Sequence, residues 1–173
     1  MRHSVMVGGP IQYASQPGTF YGPLRRDVMR AIEILRSRGF EVFSAHEAEA
    51  FGDRLSEFTA AQIAHRDFSW MRAAHAYVAI LPCDEQGSLM RTDGTHIEIG
   101  WASALDIPVL LLVDRAGRQQ ASLLLQGLVH LADVEIVEFE TDKGCDVALI
   151  AARLTEMLSL HDVPARVSGR SGA

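Results

Sequence analysis

The sequence has little that could hold a fold together from outside its core. There are two cysteines, Cys83 and Cys145, with no CxxC pair and no histidine at metal-ligand spacing. That argues against a disulfide framework and a zinc ribbon, and it reads as two free thiols in a reducing cytosol. Long hydrophobic runs are also missing. Ile107 to Val113 has the length of a buried strand and is far short of a membrane span. The apolar segment that follows Met1-Arg2-His3 stops at Gly8-Gly9-Pro10, too soon for the core of a secretory signal. A cytoplasmic protein with no membrane association is therefore expected. Positive charge is scarce as well: 16 Lys and Arg stand against 22 Asp and Glu, a net charge of −6. Backbone phosphates would repel such a surface, so nucleic acid is not an expected partner. A single phosphate could still be held at a helix N-terminus, where the attracting field is local.

What is present is a core. With 173 residues, 48% of them hydrophobic, the chain is long enough for one fully buried domain without staples. Apolar strands alternate with helical patterns. Ser4 to Val7 reads as a strand closed by Gly8-Gly9-Pro10, and Ile11 to Gly22 as a loop. Pro23 to Arg38 carries apolar residues at helical spacing, with Pro23 suited to a first turn and Gly39 to a position just past the end. Strands are expected at Phe40 to Phe43, Ala76 to Leu81, Ile107 to Val113 and Val134 to Val137. Helices are expected near 59–74, 95–105, 118–131 and 147–158. The fold class is α/β: a single-domain, doubly wound sheet of about five parallel strands, Rossmann-like or flavodoxin-like, over residues 1–158. Residues 159–173, with Pro164, Gly169 and Gly172, read as a flexible tail. In such sheets ligands bind beyond the strand C-termini. That directs attention to the loops at 8–22, 44–51, 82–94 and 114–117.

Gly8 and Gly9 would let a ligand approach the backbone after the first strand, but they do not form GxGxxG, so a dinucleotide site is poorly supported. A plain strand-ending turn explains them equally. Asp93-Gly94-Thr95-His96-Ile97-Glu98 says more. Asp93 or Thr95 could cap the following helix, and Glu98, three residues after Thr95, fits a capping box. The same Glu98 lies beyond a strand C-terminus, and a carboxylate near a helix start would be kept anionic by the helix field, as a nucleophile requires. Spacing leaves cap and nucleophile both open. Asp67 is the other outlier. It shares a helix face with Ile63 and Trp70, yet beside Arg66 it could be an ordinary solvated charge. His46 follows the second strand and either faces the crevice or has no role. His96 reads as packing, and Arg25 or Arg26 could reach a phosphate. No histidine pair has the spacing of a helical metal site, and GxSxG, Walker and kinase signatures are absent.

Gly8-Gly9-Pro10, Asp67, and Asp93-Gly94-Thr95 with Glu98-Ile99-Gly100-Trp101-Ala102 together resemble the nucleoside 2-deoxyribosyltransferase superfamily over about residues 4–140. Ser37-Arg38-Gly39, Ala45-His46, Glu49-Ala50-Phe51-Gly52 and Gly127-Leu128 are similar to strings in its hydrolytic branch, the pyrimidine nucleoside 5′-monophosphate N-glycosidases. The resemblance implies that Glu98 attacks C1′ and that Asp67 holds the sugar or assists proton transfer. It implies that Met6 and Gly9 line the base pocket together with His46, and that the Gly94 and Thr95 amides meet the 5′ end of the ligand; Gly8, Tyr13 and Asp93 are further candidate substrate contacts. It further implies no metal or organic cofactor, a nucleoside or nucleotide as small-molecule partner, and a homodimer or higher homo-oligomer. Hydrolysis, base exchange and non-catalytic nucleotide binding all remain open from the residues alone. So does the 5′ group, because Asp93 stands where monophosphate-specific relatives tend to place an uncharged residue.

Overall fold

The computed structural model describes residues 3–16, 18–131 and 133–161. In chain order the elements are β1 (Ser4–Gly8), β2 (Ser15–Gln16), β3 (Thr19–Phe20), α1 (Gly22–Ser37), β4 (Glu41–Phe43), α2 (Ala45–Ala48), α3 (Ala60–Ala73) and β5 (Ala76–Leu81). They continue with α4 (Asp93–Ala104), β6 (Val109–Asp114), α5 (Leu123–Gly127), β7 (Val134–Phe139) and α6 (Val147–His161). The five long strands form one parallel sheet in the order β4-β1-β5-β6-β7. The expected α/β sheet of five strands is therefore what the chain forms. Strand order reverses between β1 and β5, which puts the ligand crevice beyond the C-terminal ends of those two strands.

The strands are apolar along their length because both faces are covered. Val5, Val7, Val78, Ile80, Leu110 and Leu112 point to one face and pack with α1 and α6. Met6, Tyr77, Ala79, Leu81, Leu111 and Val113 point to the other and pack with α3, α4 and α5. The edge strand β7 is only partly covered, and its Glu135 and Glu138 pair with Arg153, Arg115 and Arg118. Charge on an exposed edge discourages pairing with another chain.

Four local readings change. The 11–22 loop contains the β2–β3 hairpin, and the 44–51 loop contains the single turn α2. The helix expected over 118–131 is broken. Ala121 and Ser122 are extended, and the Ser122 hydroxyl accepts the Leu125 N–H at 3.2 Å, restarting the helix as α5. The last helix reaches His161, so the expected tail is helical at 159–161, and 162–173 lie outside the described residues. Among the described residues no helix is long and apolar enough to cross a membrane.

Candidate active site

A cavity of about 180 Å³ opens at the strand-order switch. Gly8, Gly9, Tyr13, His46, Asp67, Asp93, Gly94, Thr95 and Glu98 all line it. These are nine of the ten positions the sequence singled out, brought together from five separate segments. Met6 is the exception. It is fully buried beside Met71 and Tyr77 on the sheet face and does not reach the cavity. On a pleated strand Met6 and Gly8 share a face, and only Gly8 lies at the end where the cavity is.

The two glycines are required by close approach. A methyl on Gly9 would come within 2.8 Å of the Ile80 carbonyl oxygen. On Gly8 it would overlap the Tyr77 hydroxyl and stand 2.8 Å from Glu98 Oε2.

Glu98 is not part of a capping box. Thr92 is the N-cap of α4: its hydroxyl accepts the Thr95 N–H at 3.3 Å and donates to Thr95 Oγ1 at 2.6 Å. Glu98 stands in the second turn with its carboxyl buried, accepting a hydrogen bond from the Tyr77 hydroxyl. The expected stabilisation of its anion by the helix field is overturned. That field fades within the first turn. Burial dominates instead and pushes the Glu98 carboxyl up to about 8, against the pull of the Tyr77 hydrogen bond.

Asp67 is not a solvated charge. It is buried on α3 beside Met71, and Arg66 Nε donates to its Oδ1 at 2.8 Å. The same guanidinium donates from Nη2 to Glu49 Oε1 at 2.5 Å. Glu49 is 2% exposed and lines the cavity too. Burial raises both carboxyls above the ordinary range, and Arg66 partly opposes it. Three buried carboxyls thus surround the cavity, with one arginine among them.

Glu49 and His46 are fixed by an uncommon turn. Ala50 and Phe51 adopt left-handed φ of 48° and 55°, followed by Gly52 at 90°. Non-glycine residues pay about 1–3 kcal/mol for such backbone, which persists where surrounding structure enforces it. Here the Phe51 N–H donates to the His46 carbonyl at 2.7 Å, and the Phe51 ring packs against Phe20 and His46. His46 is wholly buried. Its Nε2 lies 3.2 Å from the Pro10 carbonyl, which can only accept, so Nε2 carries the proton. Burial pushes its pKa down to about 4, leaving the ring neutral with Nδ1 unprotonated.

At the mouth, Asp93 is exposed, and its carboxylate is held by Arg91 at 3.0 Å. The Arg91 guanidinium lies 4.7 Å from the centre of the Tyr13 ring. Arg26 is not a free anion contact. It is bound to Asp27 and to the Thr141 carbonyl, and Arg25 lies over the Phe51 ring. His96, expected as packing, is exposed and lines a groove between α4 and α5. Sequence reasoning did not single out Tyr77, Glu49 or Arg66 as site residues. The signal for Tyr77 was a lone hydroxyl in the otherwise apolar run Ala76 to Leu81.

No curated protein matches the chain. Its fold is similar to that of BlsM, solved in solution, with a TM-score of 0.73 and 30% identity over 95% of this chain and 96% of that one. It is also similar to the Clostridium botulinum CMP N-glycosidase BcmB, with a TM-score of 0.56 and 19% identity over 88% and 98% of the two chains. A conserved protein of Enterococcus faecalis V583 gives a TM-score of 0.53 and 20% identity over 93% and 99%. The family model for nucleoside 2-deoxyribosyltransferase matches residues 16–148, which contain Asp67, Asp93 and Glu98. The chain belongs to the nucleoside 2-deoxyribosyltransferase family.

Proposed function

We propose that this protein is an N-glycosidase that hydrolyses a pyrimidine-type nucleoside 5′-monophosphate, with Glu98 as nucleophile. The observation that carries the reading is the burial of Glu98 and Asp67 on one small cavity beyond the β1 and β5 C-termini. Two carboxyls flanking a sugar are what retaining glycosyl chemistry needs. The ionised Glu98 oxygen attacks C1′. The bond from C1′ to the base breaks, its electron pair leaves with the base, and Asp67, whose carboxyl burial raises above the ordinary range, passes a proton to it. Water then attacks C1′ of the glycosyl ester. Asp67 takes the water's proton, and Glu98 leaves as a carboxylate. The neutral His46 ring contributes an acceptor at the base, and Tyr13 covers the mouth.

Phosphate at the 5′ end is supported by two features. The start of α4 offers a favourable field, and Arg91 offsets the charge of Asp93. The fold of the CMP N-glycosidase BcmB is in keeping with such a substrate. Two free buried thiols suit a reducing cytoplasm. A second copy of the chain is the partner we assign to the groove between α4 and α5. Leu124, Leu125, Leu128 and Ile99 line it, and it shares Thr92 and Asp93 with the cavity, so a homodimer would close the site from that side. Sedimentation of the purified protein at twice the monomer mass is the expected result.

Base exchange is the second reading, favoured by the family the chain belongs to. Incubation with a panel of nucleosides and nucleotides, with and without a second base, separates the two. Free base with sugar phosphate supports hydrolysis, a new nucleoside supports transfer, and no cleavage anywhere removes both.

A further inference from the structure

We infer that Tyr77 is a positioning residue for Glu98: its buried hydroxyl, in the space left by Gly8, fixes the carboxyl's orientation and favours its charged form against the burial that opposes it. The assignment rests on the reading of Glu98 as nucleophile, but the contact itself does not. Tyr77 sits on β5, paired in register with Met6 of β1, and is fully buried. Its neighbours on the strand, Ala76, Val78, Ala79, Ile80 and Leu81, carry no polar side-chain atom. An isolated hydroxyl inside an apolar strand costs stability unless it is bonded. Here the Tyr77 hydroxyl donates to Glu98 Oε2.

Gly8 makes this possible. A methyl there would overlap the Tyr77 hydroxyl and crowd Glu98 Oε2 at 2.8 Å. Gly8, Tyr77 and Glu98 therefore come from β1, β5 and α4 to one point, and each requires the others. Burial and the neighbouring carboxylate hold the Tyr77 phenol well above its usual range, so it remains a donor at all ordinary pH.

The charged and titratable groups around Glu98 come from three elements. Asp67 and Arg66 lie on α3, Glu49 follows α2, and Tyr77 is on β5. Asp67 and Glu49 oppose ionisation of Glu98, while Arg66 and Tyr77 favour it. Arg66 is already engaged with Glu49 and Asp67, which leaves Tyr77 as the group bonded to the Glu98 carboxyl. A tyrosine in this place does two things. It aims one oxygen away from the sugar, leaving the other to attack, and it lowers the pH at which that oxygen becomes a nucleophile.

The test is Tyr77→Phe, which keeps the ring and removes the hydroxyl. In ligand-free protein labelled with carboxyl-13C glutamate, the Glu98 titration midpoint is expected to move upward by about one pH unit, the scale of a lost hydrogen bond to the charged form. In turnover of CMP by the full-length protein, the acid limb of kcat/KM moves upward by the same amount. Activity at pH 7 then falls about tenfold and recovers above pH 9. Gly8→Ala, which displaces the same hydroxyl, is expected to shift the midpoint in the same direction. A midpoint unchanged in Tyr77→Phe, or a kcat/KM lowered by one factor at every pH with no shift, overturns the assignment. Absence of cleavage by the native protein would instead remove the proposed function, and the carboxyl titration would still decide the role of Tyr77.

Discussion

Glu49 and Asp67 share one guanidinium, that of Arg66, at 2.5 Å and 2.8 Å. The arginine's side chain is 17% exposed, and those of its two partners 3% and 9%. Both carboxyls line the cavity with Glu98, so three buried acids meet there and one buried cation stands behind two of them. Removing the cation would leave buried carboxylates uncompensated. Arg66→Met is expected to lower unfolding free energy by about 3–5 kcal/mol at pH 8. The loss should be smaller at pH 5.5, where the carboxyls, already raised by burial, bind protons more readily. Chemical denaturation at the two pH values measures this. Equal losses would show that the carboxyls take up no proton over this range, and a loss near zero at both pH values would show that the ion pairs contribute nothing to the fold.

Glu98 itself should destabilise the fold at alkaline pH. Its folded-state pKa is about 8, against an ordinary 4.5. Between those values the folded protein holds a proton that the unfolded chain has released, so stability falls as pH rises from about 4.5 to 8. Glu98→Gln removes this titration. The Tm of the variant relative to the native protein is expected to increase steadily over that window, as is common when a strained functional group is neutralised. A difference in Tm that is flat with pH would contradict the burial argument.

His46 acts in the opposite direction. Its pKa is pushed down to about 4, from an ordinary 6.5. Below pH 6.5 the unfolded chain takes up a proton that the folded protein refuses, so stability is lost as pH falls from 6.5 towards 4. His46→Gln should flatten the acid side of the Tm profile. If the variant follows the native curve, the ring is charged in the fold and its assignment as a neutral acceptor fails.

The cap of α4 gives a further check. Thr92 accepts the Thr95 N–H and donates to the Thr95 hydroxyl. Thr92→Val is expected to cost about 1 kcal/mol of stability, the usual worth of a lost N-cap. An unchanged unfolding free energy would show that the helix start is held in some other way.

Much of this arrangement was legible in the sequence because period and punctuation agreed. Ala76 to Leu81 and the helix that ends before Gly39 were readable from apolar pattern and end signals. Spacing left Glu98 between cap and nucleophile and Asp67 between solvated charge and site residue, and the family resemblance supplied their roles. What could not be read was three-dimensional partnership. Tyr77 looked like one more β-former, and only the register of β1 with β5 and the missing side chain of Gly8 reveal the contact with Glu98. Thr95 with Glu98 had the spacing of a capping box, but the helix begins earlier, at Asp93, so Thr92 takes the cap and Glu98 turns inward. Met6 has the right strand for the cavity and the wrong distance along it.

The central claim is that the Glu98 carboxylate attacks C1′ of the sugar. Its most direct test is product analysis after incubating CMP and related pyrimidine nucleoside 5′-monophosphates with the native protein and with Glu98→Ala, both confirmed as folded. The account predicts free base and sugar phosphate from the native protein and none above background from the variant. Cleavage by Glu98→Ala at the native rate, or no cleavage of any substrate by the native protein, would contradict it.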